Sequence, residues 1–152
     1  MEVNENLLEL KDKLIKVKKE MEEKLSAAKI KAELYLEVDK KLEDLVKESN
    51  PLMSLNVGGK IYKVKLSTLL SIKDTLFYYI IAKRVMNNLN PRDEIFIDKN
   101  HIGFDILLDY LQTKEIHLKQ YNKKIIDKLY VDAEFLGFTE ICDKLKNKFE
   151  NA

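Results

Sequence analysis

Residues 1–50 contain no glycine and no proline, and within them apolar side chains return every seven positions. One heptad position reads Leu7, Leu14, Met21, Ala28, Tyr35, Leu42, and the other reads Val3, Leu10, Val17, Lys24, Lys31, Val38, Leu45. Eleven of these thirteen positions are apolar, the pattern of a coiled-coil helix of about six heptads. Lys24 and Lys31 are each followed by an apolar residue, Leu25 and Ala32, so the stripe can step sideways at Leu25 and Ala32. The spacing 17–21–25 is a stutter and 35–38–42 contains a compensating short step, which predicts a locally irregular supercoil. The expected seam is Leu7, Leu10, Leu14, Val17, Met21, Leu25, Ala28, Tyr35, Val38, Leu42 and Leu45.

A helix from 3 to 48 runs about 65–70 Å at 1.5 Å per residue. A domain of about 100 residues has a radius of gyration of only about 13 Å, so it cannot cover such a stripe. Self-association is therefore expected. Strand number and direction stay open: Lys13 and Lys18 would face each other in a parallel pair, so flanking charge selects neither.

Pro51 marks a change in backbone chemistry, and both prolines and all four glycines lie from there onward. The expected division is 1–50, a coiled-coil helix, and 51–152, a globular domain. Leu52 to Val57 and Ile61 to Leu66 read as two short strands joined across Gly58-Gly59. Ser67-Thr68 is expected to cap a short helix, and Asp74-Thr75 a second one through Leu76, Phe77, Ile80 and Ile81. A loop with Pro91 leads to a strand, Glu94 to Asp98, and Asn100 caps a largely buried helix from Ile102 to Leu111. Residues 123–136 form a helix that Gly137 stops. A last helix carries Phe138, Ile141, Cys142, Leu145 and Phe149 on its apolar face.

Basic and acidic residues nearly cancel, 27 against 26, which argues against a nucleic-acid binder. One cysteine, Cys142, leaves no internal disulfide and no multi-cysteine zinc site. No apolar run approaches the roughly 18–20 residues of a membrane helix, and the charged N-terminus has no signal-peptide core. A reducing compartment, cytoplasmic or nuclear, is expected, with no membrane partner. Gly58-Gly59-Lys60 joins two strands and does not open a helix, so it reads as a hairpin turn and not as a phosphate loop. His101 and His117 have no cysteine or acidic cluster at metal spacing. No metal, no cofactor and no catalytic constellation is expected. The chain reads as a binding protein, not an enzyme.

Five short blocks stand in an order that resembles one family. They are Leu55-Asn56-Val57-Gly58-Gly59 followed by Tyr62, and Ser67-Thr68-Leu69-Leu70 with Asp74-Thr75-Leu76. Phe96-Ile97-Asp98-Lys99 follows, then Phe104, Ile106, Leu107, Tyr110 and Leu111, then Ala133 to Phe138. Together they resemble a BTB/POZ domain of the potassium-channel tetramerisation type over about residues 52–145. The resemblance implies an α+β fold, a three-stranded sheet flanked by a helical cluster, here behind a long coiled-coil helix. It implies homo-oligomerisation and a role as substrate adaptor, with a cullin scaffold of a ubiquitin ligase and a protein substrate as partners. A pure oligomerising scaffold with no ligase role is the alternative. Neighbours in the family meet through charged side walls, which makes Asp98 and Lys99 the expected oligomer-interface pair. Lys99 replaces the family's arginine, and Gln112-Thr113-Lys114 stands where the family has Arg-Thr-Gly. Lysine lacks the arginine fork, so subunit contacts built on these positions would change.

Overall fold

The computed structural model describes residues 2–150, and the side chain of Phe149 lies outside the described set. Contacts divide the chain into two compact units at Lys40–Lys41. Helix α1 spans Glu2–Glu48 without interruption, as a stretch free of glycine and proline allows. Glu2 and Glu5 in its first turn and Lys47 in its last oppose the helix dipole.

The second unit is built on a sheet of order β2-β1-β3. Strands β1 (Leu52–Val57) and β2 (Lys60–Lys65) pair antiparallel in the register Val57↔Lys60. That register leaves a two-residue loop, and both its residues need positive φ. Gly58 and Gly59 supply it at 57° and 96°. Strand β3 (Ile95–Ile97) runs parallel to β1, with Leu55 opposite Ile95. It is one residue shorter at each end than the sequence suggests. Gly58 donates to the Ile97 carbonyl at 2.9 Å, and a Cβ on Gly58 would run into the Lys99 carbonyl.

Helices cover one face of the sheet. They are α2 (Leu66–Leu69), α3 (Leu76–Met86), α4 (His101–Thr113), α5 (Lys123–Leu136) and α6 (Thr139–Glu150). Thr75, Asn100 and Asn122 cap α3, α4 and α5 through their side-chain oxygens, as expected for two of the three from sequence. Gly137, at φ 82°, ends α5. The start of α2 differs from expectation: the helix begins at Leu66, and Lys65 offers no side-chain cap. Asn50 supplies it instead, its Oδ1 accepting from Ser67 N at 2.9 Å while its Nδ2 donates to Ser67 Oγ at 3.0 Å.

The core lies between β1 and the helices. Met53, Leu55 and Val57 point inward with Ile95 and Ile97, and Phe77, Phe104, Leu107, Leu129 and Leu145 on the helices are buried too. Phe104 meets Tyr62 and Phe77 edge-on, at centroid distances of 4.9 and 6.0 Å. This is an α+β fold with a three-stranded sheet, a helical cluster and a long N-terminal helix.

Candidate interaction surfaces

The most continuous exposed apolar feature is on α1. Leu7, Leu10, Leu14, Val17, Met21 and Leu25 are 50–65% exposed, and they follow the heptad spacing. Ala28 and Tyr35 continue the line and are also exposed. Val38 and Leu42 are already buried in the single chain, at 3% and 2%, and Leu45 is half-buried. The stripe open to a partner therefore ends near Tyr35. Leu8 and Ile15, beside Leu7 and Leu14, are exposed too and widen its first two turns, which a strict two-position heptad reading misses.

A second apolar surface is the uncovered face of the sheet. Strand alternation turns Leu52, Ile61 and Phe96 outward. Asn56 lies opposite both Ile61 and Phe96, so those two side chains flank it in one row. Ser54, on the same face, donates to Glu94 Oε1 at 3.0 Å.

Asp98 is exposed and Lys99 half-buried, directly after β3. The α4 cap comes from Asn100, whose Oδ1 accepts from Ile102 N at 3.0 Å, so Asp98 is not needed for capping. The Lys99 ammonium lies 4.6 Å from the centre of the exposed Phe135 ring. Beneath this surface Asp132 is only 4% exposed, and its Oδ2 has no hydrogen-bond partner among the described residues. That oxygen fills the space a Cβ on Gly103 would take. Burial raises the pKa of Asp132, and the charges of Lys128 and Lys99 oppose the rise. Lys99 thus lies against one exposed ring, with the buried Asp132 carboxylate within reach of its charge.

A polar cluster joins β2 to α4. Asp105 accepts from the Tyr62 hydroxyl, and Lys60 Nζ lies 3.3 Å from Asp105 Oδ1. His101 Nδ1 is 3.5 Å from Asp105 Oδ2. Burial alone would raise the Asp105 pKa, but the hydrogen bonds from Tyr62 and Lys60, with His101 close by, hold it below the usual carboxylate range. Burial and the same carboxylate push the Tyr62 hydroxyl up. A tyrosine pinned this way is a poor acid, and the cluster is a tie between β2 and α4. His117 lies in the α4–α5 loop, 3.7 Å from Glu115. Cys142 is buried, and burial raises its thiol pKa, which makes it a poor nucleophile. Among the described residues no group of three or more His, Cys, Asp or Glu side chains could hold a metal ion. No helix among them is long and apolar enough to cross a membrane.

The strand and helix order, the Gly58-Gly59 hairpin and the parallel return of β3 are matched by one comparison across known families, which aligns residues 53–145 to the BTB/POZ domain. The chain belongs to the BTB/POZ domain family. Its domain is of the potassium-channel tetramerisation type, as the sequence blocks suggest. BTB/POZ domain-containing protein KCTD3 of Homo sapiens is 32% identical over 97 residues, which cover 64% of this chain and 12% of that protein. SH3KBP1-binding protein 1 of Rattus norvegicus is 29% identical over 99 residues, 65% of this chain and 14% of that protein. BTB/POZ domain-containing protein KCTD21 of Mus musculus is 27% identical over 100 residues, 66% of this chain and 38% of that protein. The chain thus spans well under half the length of these relatives. BTB/POZ domains of this type form a family of non-enzymatic interaction domains, and this domain is a protein-interaction and oligomerisation module.

Proposed function

We propose that this chain is an oligomerising adaptor whose work is binding and not catalysis. The BTB/POZ domain closes into a homo-oligomer of two to five subunits, and α1 reinforces the assembly through its seam. Asp98 and Lys99 stand on the side wall between neighbouring subunits. The assembly presents a protein substrate to a cullin scaffold of a ubiquitin ligase, in the cytoplasm or nucleus.

One observation carries the reading: the apolar stripe from Leu7 to Leu25 is at least half exposed on a single chain. Side chains of this size gain about 1.5–3 kcal/mol each on full burial, so a second copy of the stripe is a favourable cover. Closed symmetry then follows from two association elements on one chain.

Light scattering on the full chain tests this. The expected mass is a whole multiple of 17.8 kDa, from two to five, and it falls in Lys99→Glu with helix content unchanged. A mass of 17.8 kDa across micromolar concentrations overturns it. A cullin pull-down separates the two roles: an intact oligomer that captures no cullin is a scaffold without a ligase role.

A further inference from the structure

Between α4 and α5 the chain makes a nine-residue excursion, 114–122, that includes a 3-10 turn at Leu118–Gln120. It faces the last turns of α6 across a groove of about 710 Å³. Ile116 and Leu118 are half-buried there and supply an apolar lining. His117, Lys119, Gln120, Lys144 and Lys148 complete it, and among the described residues no acidic side chain lines it, Glu115 standing just outside at 3.7 Å from His117.

The lysines come from two elements, and Lys144 also lies over the Tyr110 ring, 5.9 Å from its centre. Lys144 and Lys148 are one helical turn apart on α6 and so share a face. Lys148 Nζ donates to the Leu118 carbonyl at 3.0 Å, which fixes its ammonium over the groove and leaves two N–H donors free. Lys144 lies 3.5 Å from Glu140, outside the groove, in an exposed ion pair worth little to either partner. Lys119 is exposed. A groove of this volume falls in the range of ligand clefts, about 300–1,000 Å³, and takes a few side chains and not a folded domain.

We infer that this groove docks an extended acidic peptide segment with an apolar anchor. The anchor side chain lies on Ile116 and Leu118, and flanking carboxylates reach Lys119, Lys144 and Lys148. Charge complementarity selects the partner's sign, and the apolar lining distinguishes it from a bare polyanion. One copy of the chain is enough for this site, so it stands or falls apart from the oligomer and from cullin binding.

The test is fluorescence anisotropy of the full chain with two labelled synthetic peptides. One alternates glutamate and leucine; the other, of equal length, is all glutamate. The expected result is saturable binding of the first at low salt, with an affinity about tenfold weaker in the double variant Lys119→Glu, Lys148→Glu. Lys146→Glu, outside the groove lining, leaves the affinity unchanged. Because Lys148 also holds Leu118, the single variant Lys119→Glu is measured beside the double one and weakens binding in the same direction. Three results each overturn the inference: no saturable binding of the mixed peptide, equal binding of polyglutamate, or an unchanged affinity in Lys119→Glu.

Discussion

Burying a carboxylate costs free energy unless donors surround it, and Asp132 is buried with one oxygen that has none among the described residues. Lys128 Nζ is 4.0 Å from that oxygen, too far to donate well. The folded protein therefore holds the Asp132 proton to a higher pH than the unfolded chain does. Between the unfolded value of about 3.9 and the raised folded value, the native state binds more protons, so this residue makes stability fall as pH rises. Asp132→Asn removes that slope, and thermal melts from pH 4 to 7 should show the variant gaining on the parent toward neutral pH. Equal differences in Tm at every pH would refute the assignment. Lys114 is the opposite case, a residue whose cost is offset nearby. It sits in the left-handed region at φ 61°, where the resembling family has glycine. Its ammonium donates to Leu111 O at 2.6 Å and Ser71 Oγ at 2.5 Å, tying the end of α4 to the segment after α2. The sequence shows that position 114 departs from the family, but neither its conformation nor its two acceptors, because Ser71 is 43 residues away.

Elements were readable where their boundary signals are local. Thr75, Asn100 and Gly137 act within one turn of their helices, and each does what its residue type favours. The start of α2 was not readable, since its cap comes from Asn50. The same limit hides how β3 is held. Arg84, on α3, donates from Nη1 to the Asp93 carbonyl at 2.5 Å and from Nη2 to the Glu94 carbonyl at 3.0 Å. Arg92, in the loop between, donates to Ser49 Oγ at 3.0 Å. The chain has only two arginines, and both fasten the segment that delivers β3 to the sheet. A guanidinium reaches two carbonyls at once, which a lysine cannot do with fixed geometry. Arg84→Ala should cost about 1 kcal/mol in urea unfolding, with Arg84→Lys recovering less than half. Faster amide exchange at Ile95–Ile97 in both variants would accompany it. A fully restored midpoint in Arg84→Lys would mean that charge alone, and not the fork, holds the loop.

For the whole molecule, the heptad pattern foretold a long helix but not where its partner changes. Periodicity reports which face is apolar and says nothing of what covers it. Val38 and Leu42 fit the same repeat as Leu7 and Leu14, yet they are buried in the single chain while the earlier residues are open. Pro51 is the visible break in composition, whereas the compact unit begins at Lys41, inside α1. The expected consequence concerns truncation. A fragment 41–152 keeps Leu42 and should melt cooperatively. A fragment 50–152 lacks it and should lose about 1.5–3 kcal/mol, the burial value of one such side chain. Chemical denaturation of the two fragments checks this; equal midpoints would show that the last turns of α1 contribute nothing to the domain.

The ends of the sheet bear on how such a protein avoids aggregating while it is built to assemble. Each outer strand offers a row of backbone donors and acceptors on which a foreign strand could grow, the first step toward a cross-β stack. β3 answers by brevity, with three residues giving too short a template. β2 is longer, and it carries Lys60, Lys63 and Lys65, so a second copy arriving edge to edge would bring like charges together. Copies are thereby steered away from the sheet edges and left to associate through side chains, where geometry and number can be limited.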